Sequence, residues 1–182
     1  GVDCSGLGND MNCIVVRREN EIVKIIQRKT ATASELCSII KGITVELGKD
    51  DLSMIYIDEA YGLDLCNRLI EYGLPAQTVP FGGAATEHVY LNQRAEMYVN
   101  AKRAMEDMGM VGLTDELIHK LNATKYIISD SNKIKLIPKA DIKMVLGRSP
   151  DIADAFALTY CGPIIERKYI KERNYRQSRF MQ

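Results

Sequence analysis

Four aspartates stand where the sequence predicts the end of a strand or the start of a helix. Asp3 follows an apolar residue and precedes a glycine-rich loop, and Asp58 ends the apolar run from Leu52 to Ile57. Asp151 and Asp154 lie three residues apart in a predicted helix, so their side chains would occupy neighbouring positions on one face. Hydrolysis of a phosphodiester bond by two divalent cations uses such a set of rigidly held carboxylate oxygens.

Each aspartate also has a purely structural interpretation. Asp3 and Asp58 could cap the turns that follow them, and Asp151 lies in the first helical turn, where it would interact favourably with the helix dipole. Asp154 is harder to explain structurally, because alanines and a phenylalanine flank it in a helix that must pack. We therefore expect Asp154 to be the third acidic ligand and Asp151 to assist it, with the choice between the two left open.

The elements that must position these residues alternate between strand and helix. The predicted strands are Gly1 to Cys4, Asn12 to Arg17, Glu21 to Gln27, Leu52 to Ile57, Thr78 to Phe81, and an edge hairpin of Tyr126 to Ile128 with Ile134 to Ile137. The predicted helices are Thr32 or Ser34 to Leu47, Leu63 to Tyr72, Tyr90 to Met108, Asp115 to Leu121, Ala140 to Leu146 and Pro150 to Tyr160, the last with Ser149 as its N-cap.

This order of strands and helices predicts an α/β domain with a mixed central sheet. Right-handed crossovers would place the strand that ends at Asp58 beside that of Asp3, at the sheet edge where open α/β sheets hold ligands.

Length and composition favour one domain that is not embedded in a membrane. The chain has 182 residues, of which 46% are hydrophobic, which is enough for one core. It lacks any apolar stretch near the roughly 20 residues that a membrane-spanning helix needs. Its five cysteines are scattered without a Cys-x-x-Cys pair, so we expect reduced thiols rather than disulfides or a zinc site.

Charge is balanced overall but uneven along the chain. There are 24 basic and 24 acidic residues, so net charge gives no argument for nucleic-acid binding. Between Glu166 and Arg179 the excess is basic, with Arg167, Lys168, Lys171, Arg173, Arg176 and Arg179 against two glutamates. We expect a domain boundary near Gly162, with one domain at 1–163 and a basic tail at 164–182. The tail could bind DNA phosphates, dock on a protein ring, or be a solvated terminus.

Several segments together resemble the nuclease domain of large terminase subunits from headful-packaging tailed phages. The similarity covers roughly Gly1 to Pro163, and the final segment is its most specific part. The matching segments are Gly1-Val2-Asp3 with the loop to Gly8 and Asp10, Ile57-Asp58 with Gly62, Val79 to Gly83, Asn92 to Tyr98, and Leu146 to Tyr160.

This resemblance implies a ribonuclease H-like fold, a mixed central β-sheet flanked by α-helices, and cleavage of double-stranded DNA with two Mg²⁺ or Mn²⁺ ions. By position, Asp3 and Asp58 match the first and second metal-binding aspartates, and Asp154 matches the third. Asp151 and Asp10 match positions of possible auxiliary ligands.

The resemblance also implies a place for Lys139 and a set of partners. Lys139 matches a lysine that often precedes the final motif, where it could offset charge at the scissile phosphate; it could equally be an ordinary solvated lysine. The implied partners are concatemeric double-stranded DNA, the portal ring, the small terminase subunit and an ATPase motor domain, in the host cytoplasm. The sequence contains no Gly-x-x-x-x-Gly-Lys-Ser/Thr loop, so we expect the motor to lie outside this chain. The alternative function is a module that docks the motor and grips DNA, with little activity in isolation.

Other patterns are less convincing. Pro150-Asp151 followed by Glu166-Arg167-Lys168 superficially matches another nuclease signature, but that class needs strands where a helix is predicted here. The glycine-rich loop after Asp3 also resembles the phosphate loop of sugar kinases, but the chain has no second such loop. His88 and His119 have no partner histidine at ligand spacing, and we expect Arg94 and Glu96 to form ion pairs and packing contacts.

Overall fold

Strands and helices alternate along the chain in the computed structural model, which describes residues 1–6, 10–48 and 51–162. Within these residues the strands are β1 (Val2–Asp3), β2 (Asn12–Arg18), β3 (Glu21–Arg28), β4 (Ile55–Asp58), β5 (Ala76–Val79), β6 (Tyr126–Ile128) and β7 (Ile134–Leu136). The helices are α1 (Ala33–Leu47), α2 (Glu59–Glu71), α3 (Gln93–Met108), α4 (Asp115–Ala123), α5 (Lys139–Leu146) and α6 (Asp151–Leu158). The predicted basic tail at 164–182 lies outside the described residues.

The strands of the central sheet are ordered β3-β2-β1-β4-β5. β1, β4 and β5 run parallel, whereas β2 pairs antiparallel with both β1 and β3, so the sheet is mixed as predicted. Val2 of β1 is in register with Ile57 of β4, which confirms that the strands of Asp3 and Asp58 are neighbours. Both aspartates therefore lie at the carboxyl ends of adjacent parallel strands.

Helices α1 and α2 cover one face of this sheet. Leu36 and Ile40 of α1 and Leu65 and Leu69 of α2 pack in one cluster with Ile57 of β4. A capping box fixes the start of α1: the Thr32 hydroxyl accepts a hydrogen bond from the backbone of residue 35, whose carboxylate accepts one from the Thr32 backbone. Helix α2 follows β4 without a loop, which brings it directly beside Asp58.

Helices α3, α4 and α6 cover the opposite face. Met97 of α3, Leu117 of α4, and Ile152 and Phe156 of α6 are fully or almost fully buried and belong to one cluster. Helix α6 packs against β1, β2 and β4. Because α6 is central to this layer, the polar residues on it are buried together with its apolar ones.

Some predicted element boundaries are wrong. Helix α2 begins four residues earlier than the predicted Leu63, because Asp58 caps it directly after the strand. Helix α3 begins at Gln93 rather than Tyr90, since the Asn92 side chain accepts a hydrogen bond from a backbone N–H of the first turn. β5 covers 76–79 instead of 78–81, as its pairing with β4 sets the register.

Helix α6 begins at Asp151, and its N-cap is Pro150 with no side-chain hydrogen bond. The predicted Ser149 cap is therefore wrong. The carboxylate of Asp151, the first residue of α6, hydrogen-bonds to the backbone N–H of Met11. Among the described helices, none is long and apolar enough to cross a membrane.

Candidate active site

Asp3 and Asp58 lie on one cavity at the carboxyl ends of β1 and β4. The cavity has a volume of about 200 Å³ and is lined by Asp3, Cys4, Ser5, Gly6, Asp10, Asp58, Ala60, Tyr61, Lys139, Ser149 and Asp151. Asp3 is 5% exposed and Asp58 is 7% exposed. Oδ1 of Asp58 also accepts a hydrogen bond from the Ala60 N–H at 3.4 Å, which fixes this carboxylate at the start of α2.

Asp151 lines the same cavity, and a backbone hydrogen bond fixes its carboxylate. As the first residue of α6 it is almost buried, and its Oδ2 accepts a 2.8 Å hydrogen bond from the Met11 N–H. The segment before β2 therefore orients this carboxylate. Three carboxylates from β1, β4 and α6 thus surround one cavity, although the chain between the first and the last is almost 150 residues long.

Asp154 does not line the cavity and is completely buried behind it. Its Oδ1 accepts hydrogen bonds from Arg94 Nε at 2.9 Å, Arg94 Nη2 at 2.7 Å and the Tyr98 hydroxyl at 2.7 Å. Its Oδ2 lies 3.0 Å from Lys139 Nζ, in an ion pair. Of the two candidates for the third acidic ligand, the structure places Asp151 at the cavity and Asp154 in a buried polar cluster.

Lys139 connects this buried cluster to the cavity. It is the first residue of α5, its side chain is 41% exposed, and it lines the same cavity as the three carboxylates. Burial lowers the pKa of Lys139, but the charges of Asp154 and Asp3 outweigh it and raise the pKa above the ordinary lysine value. The side chain is therefore a cation at neutral pH, directed into an acidic cleft.

The cleft carboxyl groups disfavour ionisation of one another. The pKa of Asp3 is raised well above its ordinary value by burial and by the charges of Asp154, Asp58 and Asp151, against the opposing charge of Lys139. Burial also raises the pKa of Asp58, although the Ala60 hydrogen bond and Lys139 oppose it. A charge arrangement of this kind is costly to the folded state unless a cation enters the site.

Asp154 shows the opposite behaviour. Burial alone would raise its pKa, but Arg94, Lys139 and the Tyr98 hydrogen bond together lower it below the ordinary value. Asp154 is therefore an ionised group whose charge is balanced within the protein. Among the described residues, the cleft carboxylates of Asp3, Asp58 and Asp151 form no comparable ion pair, so they lack this balance.

The residues around the cavity fit a divalent cation by charge and by donor type. Carboxylate oxygens are the hard ligands that Mg²⁺ and Mn²⁺ prefer, and the Ser5 hydroxyl oxygen is buried beside them without a hydrogen-bond partner among the described residues. Among the residues that the structure describes, no group of three Asp, Glu, His or Cys side chains is already close enough together to hold a metal ion. The remaining ligands would then be water and the substrate, as is common for Mg²⁺.

Asp10, the other predicted auxiliary ligand, lies at the rim of the cavity. Its Oδ2 forms a 2.8 Å ion pair with Lys143 Nζ, and both side chains are about two-fifths exposed. Within the described residues it therefore already has a cationic partner, unlike Asp3 and Asp58. This contact leaves Asp10 at the edge of the candidate site.

Two side chains of α3 that the sequence analysis did not assign to the site contact Asp154. Arg94 and Tyr98 lie one helical turn apart on α3 and both bind Asp154, 60 and 56 residues further along the chain. Their spacing of four residues places them on one helix face, and a buried arginine on such a face indicates a buried acidic partner. Arg94 forms the expected ion pair, with Asp154. Among the described residues the Glu96 carboxylate instead accepts the backbone N–H groups of Thr86 and Glu87.

A larger cavity of about 630 Å³ lies beside the amino ends of β1 and β4. Mainly apolar residues line it, among them Val16, Ile40, Leu47 and Met54, and none of the predicted site residues does. The smaller acidic cavity is therefore the better candidate for catalysis, although the other is the larger.

Comparisons with known proteins identify the fold. No family model and no curated protein matches the chain, but solved structures do. A mutant nuclease domain of the large terminase subunit gp2 of bacterial virus Sf6, with manganese and beta-thujaplicinol, has a TM-score of 0.72 at 16% sequence identity, over 90% of this chain and 87% of that chain. The nuclease domain of the same gp2 protein has a TM-score of 0.68 at 18% identity, over 90% and 87% of the two chains. The large terminase nuclease from thermophilic phage G20c has a TM-score of 0.61 at 16% identity, over 88% of this chain and 78% of that chain. The expected α/β fold, a mixed sheet flanked by helices, is confirmed by the structure and by these similarities.

Proposed function

We propose that this chain is the nuclease domain of a phage large terminase subunit and that it cuts concatemeric double-stranded viral DNA during genome packaging. The observation that carries the proposal is the convergence of Asp3, Asp58 and Asp151 on one cavity. The fold shared with terminase nuclease domains supports it. The structures of those relatives that contain manganese or magnesium support a requirement for divalent cations.

In this proposal the three cavity carboxylates hold the cations. Asp3 and Asp58 are the first two ligands that the sequence predicted, and we assign the third position to Asp151 in preference to Asp154. The reason is that Asp151 lines the cavity, whereas both oxygens of Asp154 already face cations or hydrogen-bond donors. Divalent cations bound there would lower the pKa of a water molecule and stabilise the charge on the leaving oxygen.

Lys139 would orient the substrate for hydrolysis. The reaction forms a bond between a water oxygen and phosphorus and breaks the bond to the 3′ oxygen, which leaves a 5′-phosphate and a 3′-hydroxyl. The Lys139 ammonium group would bind a non-bridging oxygen of the scissile phosphate, because it is the cation that the described part of the chain places on the cavity. Contacts of this kind read phosphates rather than bases, so little sequence preference is expected.

The proposed partners follow from the role of such a domain in packaging. The chain has no net charge, so we expect this domain alone to bind DNA weakly, because phosphate neutralisation supplies most non-specific affinity. An ATPase motor domain, the portal ring and the small terminase subunit would supply the remaining grip and position. The site of action would be the host cytoplasm during phage assembly.

We also propose that residues 1–163 suffice for cleavage and that the basic tail at 164–182 serves in docking. A chain truncated after Pro163 should cleave at the rate of the full chain but bind the portal or DNA more weakly. Unchanged affinity after truncation would remove the docking role from the tail.

The test is a plasmid-nicking assay with Mn²⁺, Mg²⁺ or Ca²⁺, in the wild type and in Asp3→Asn, Asp58→Asn and Asp151→Asn. We expect cleavage with Mn²⁺ or Mg²⁺ and a loss of at least about 100-fold in each variant, which corresponds to about 2.7 kcal/mol of transition-state stabilisation. Asp107→Asn is the matched control, because Asp107 is an exposed residue at the end of α3.

Two outcomes would contradict the proposal. One is wild-type rates in folded Asp3→Asn and Asp58→Asn variants, since these residues define the site. The other is DNA binding without any cleavage in all three metals, which would favour the alternative of a docking and DNA-gripping module.

A further inference from the structure

The two oxygens of the Asp154 carboxylate have different surroundings. Oδ1 accepts three hydrogen bonds from α3, two from Arg94 and one from Tyr98. Oδ2 accepts no hydrogen bond of good geometry within the described residues, but it lies 3.0 Å from the ammonium nitrogen of Lys139. One oxygen is therefore fixed to the scaffold, and the other faces the side chain that lines the cleft.

The ion pair between Asp154 and Arg94 already balances the charge of the buried carboxylate. Arg94 supplies the close cation that a fully buried carboxylate needs, and together with Tyr98 it satisfies the lone pairs of Oδ1. The side chain of Lys139 is 41% exposed and would be solvated without any partner. The contact between Lys139 and Asp154 is thus not needed to neutralise the buried charge, and its consequence is to fix where the ammonium group lies.

We propose that Arg94, Tyr98 and Asp154 form a positioning unit that holds the Lys139 ammonium group at the cleft, and that Asp154 is not itself a cation ligand. This inference rests on the proposed nuclease function. A lysine side chain has four rotatable bonds, so an unanchored Lys139 would spend much of its time away from the substrate phosphate. Anchoring to a carboxylate that is itself immobile removes most of this freedom before the substrate binds.

Helix α3 acquires a role at the site through this unit. Arg94 and Tyr98 are buried and lie away from the cavity, so neither can touch a phosphate held there. Their effect must pass through Asp154 to Lys139, which makes them positioning residues. The rings of Phe81 and Tyr98 flank the Arg94 guanidinium at 5.9 and 5.2 Å, and Phe81 also lies 5.2 Å from Lys139 Nζ. The unit is therefore held by packing as well as by hydrogen bonds.

The alternative is that Asp154 ligates a cation through Oδ2. A cation there would have to displace the Lys139 ammonium from a distance of 3.0 Å. The two roles differ in what a mild change to the unit does. Weakening a ligand lowers metal affinity, whereas weakening the positioning unit lowers the cleavage rate only as long as Lys139 is present.

The experiment is a double-mutant cycle with Tyr98→Phe and Lys139→Met in the full chain, with single-turnover plasmid cleavage in Mn²⁺ as the measured rate. Tyr98→Phe removes one hydrogen bond to Asp154 and keeps the ring, so the fold is retained; a melting curve checks this. We expect Tyr98→Phe to lower the rate about tenfold, as for loss of one hydrogen bond to a charged group. In the Lys139→Met background the same change should lower the rate less than about twofold, because the side chain that it positions is gone.

Two further measurements separate positioning from ligation. The affinity for Mn²⁺, measured by isothermal titration without DNA, should change less than about twofold on introducing Tyr98→Phe, both into the wild type and into the Lys139→Met variant. The matched control is Tyr160→Phe, since Tyr160 is also a buried phenol on this face of the sheet but contacts Phe156 and Arg17 rather than Asp154. It should cleave at the wild-type rate.

Each contrary result has a distinct meaning. Three outcomes would overturn the positioning unit: rate losses that multiply in the double variant, a wild-type rate in Tyr98→Phe, or a fall in Mn²⁺ affinity that parallels the fall in rate. The nuclease function would still stand in these cases if wild-type cleavage depends on Asp3. A wild type that does not cleave would instead overturn the proposed function, and this inference with it.

Discussion

The backbone N–H of Met11 donates a 2.8 Å hydrogen bond to Oδ2 of Asp151, although 140 residues separate them along the chain. The bond joins the segment before β2 to the first turn of α6, beneath the acidic cavity. It orients Asp151 toward Asp3 and Asp58, whereas Asp154, one helical turn later, faces Arg94 and Lys139. Two aspartates on one helix therefore have different surroundings, and thermal unfolding can test the separate roles that we propose for them.

Asp151→Asn and Asp154→Asn should respond differently to Mn²⁺. At a Mn²⁺ concentration of about 100 Kd, binding stabilises the wild type by about 2.7 kcal/mol, which raises Tm by roughly 5 to 10 °C. Asp151→Asn should lose most of this rise because a proposed ligand is weakened. Asp154→Asn should keep the rise but start from a lower Tm in EDTA, since breaking a buried ion pair costs about 3–5 kcal/mol. Differential scanning fluorimetry with and without Mn²⁺ measures both effects.

The reverse pattern, with the Mn²⁺ response lost in Asp154→Asn and kept in Asp151→Asn, would return Asp154 to the role of third ligand. Asp107→Asn serves as the control, with both the starting Tm and the Mn²⁺ response of the wild type.

Removing the charge of Asp3 should stabilise the metal-free protein, and more so at higher pH. The folded-state pKa of Asp3 is raised by burial and by Asp154, so the folded protein keeps a proton that the unfolded chain loses near pH 4. The free energy of unfolding of the wild type therefore falls as pH rises from the unfolded pKa through the folded pKa. Asp3→Asn lacks this loss, so its Tm in EDTA should exceed that of the wild type by a few degrees at pH 8 and by less at pH 5. A difference in Tm that shrinks as pH rises would contradict the assigned direction of the pKa shift.

How much of this site the sequence could predict depended on whether a general rule connects the segments that meet there. Asp3 and Asp58 could be placed together because strand order follows from crossover handedness, a general rule about connected elements. The division of roles between Asp151 and Asp154 could not be predicted in this way, because both lie on one predicted helix face. Their partners, Met11 and Arg94, come from distant segments that no local pattern connects to them.

Helix boundaries were mispredicted for a related reason. Asp58 acts both as the last residue of β4 and as the cap of α2, so the sequence has no loop between them and the apolar periodicity of the helix starts late. The register of β5 was misplaced because its pairing with β4, rather than its own apolar pattern, decides which residues are strand. These features are set by tertiary contacts and not by local propensity.

The Glu96 carboxylate should contribute to stability without affecting cleavage. Its Oε2 and Oε1 accept the N–H groups of Thr86 and Glu87 at 2.8 and 3.0 Å, and the side chain is 4% exposed. Glu96→Gln replaces one acceptor by an N–H donor that faces a backbone N–H, and we expect the free energy of unfolding to fall by about 1.5–3 kcal/mol. Urea denaturation measures this loss, and the cleavage rate should stay within about twofold of the wild type, the margin for an independent site.

The matched control for this change is Glu106→Gln in the same helix. Glu106 lies 3.7 Å from Lys102 in an exposed pair, so its loss should cost less than about 1 kcal/mol. Equal losses in the two variants would show that the loop contacts of Glu96 contribute nothing beyond a surface charge.

Replacing Gly62 by alanine should disturb the site through β4. A Cβ at this position of α2 would lie 2.3 Å from Cγ2 of Ile57, which is fully buried and directly precedes Asp58. Since neither α2 nor β4 has free space there, we expect Gly62→Ala to lower the free energy of unfolding by about 1–3 kcal/mol and to slow cleavage by shifting Asp58.

Gly42→Ala in α1 is the contrasting variant, because a Cβ there meets nothing within 4 Å. It should stabilise the protein by about 0.5–1 kcal/mol, as expected for an exposed helix interior, at an unchanged cleavage rate. Equal stability of the two variants in urea denaturation would show that α2 and β4 are not packed as closely as described.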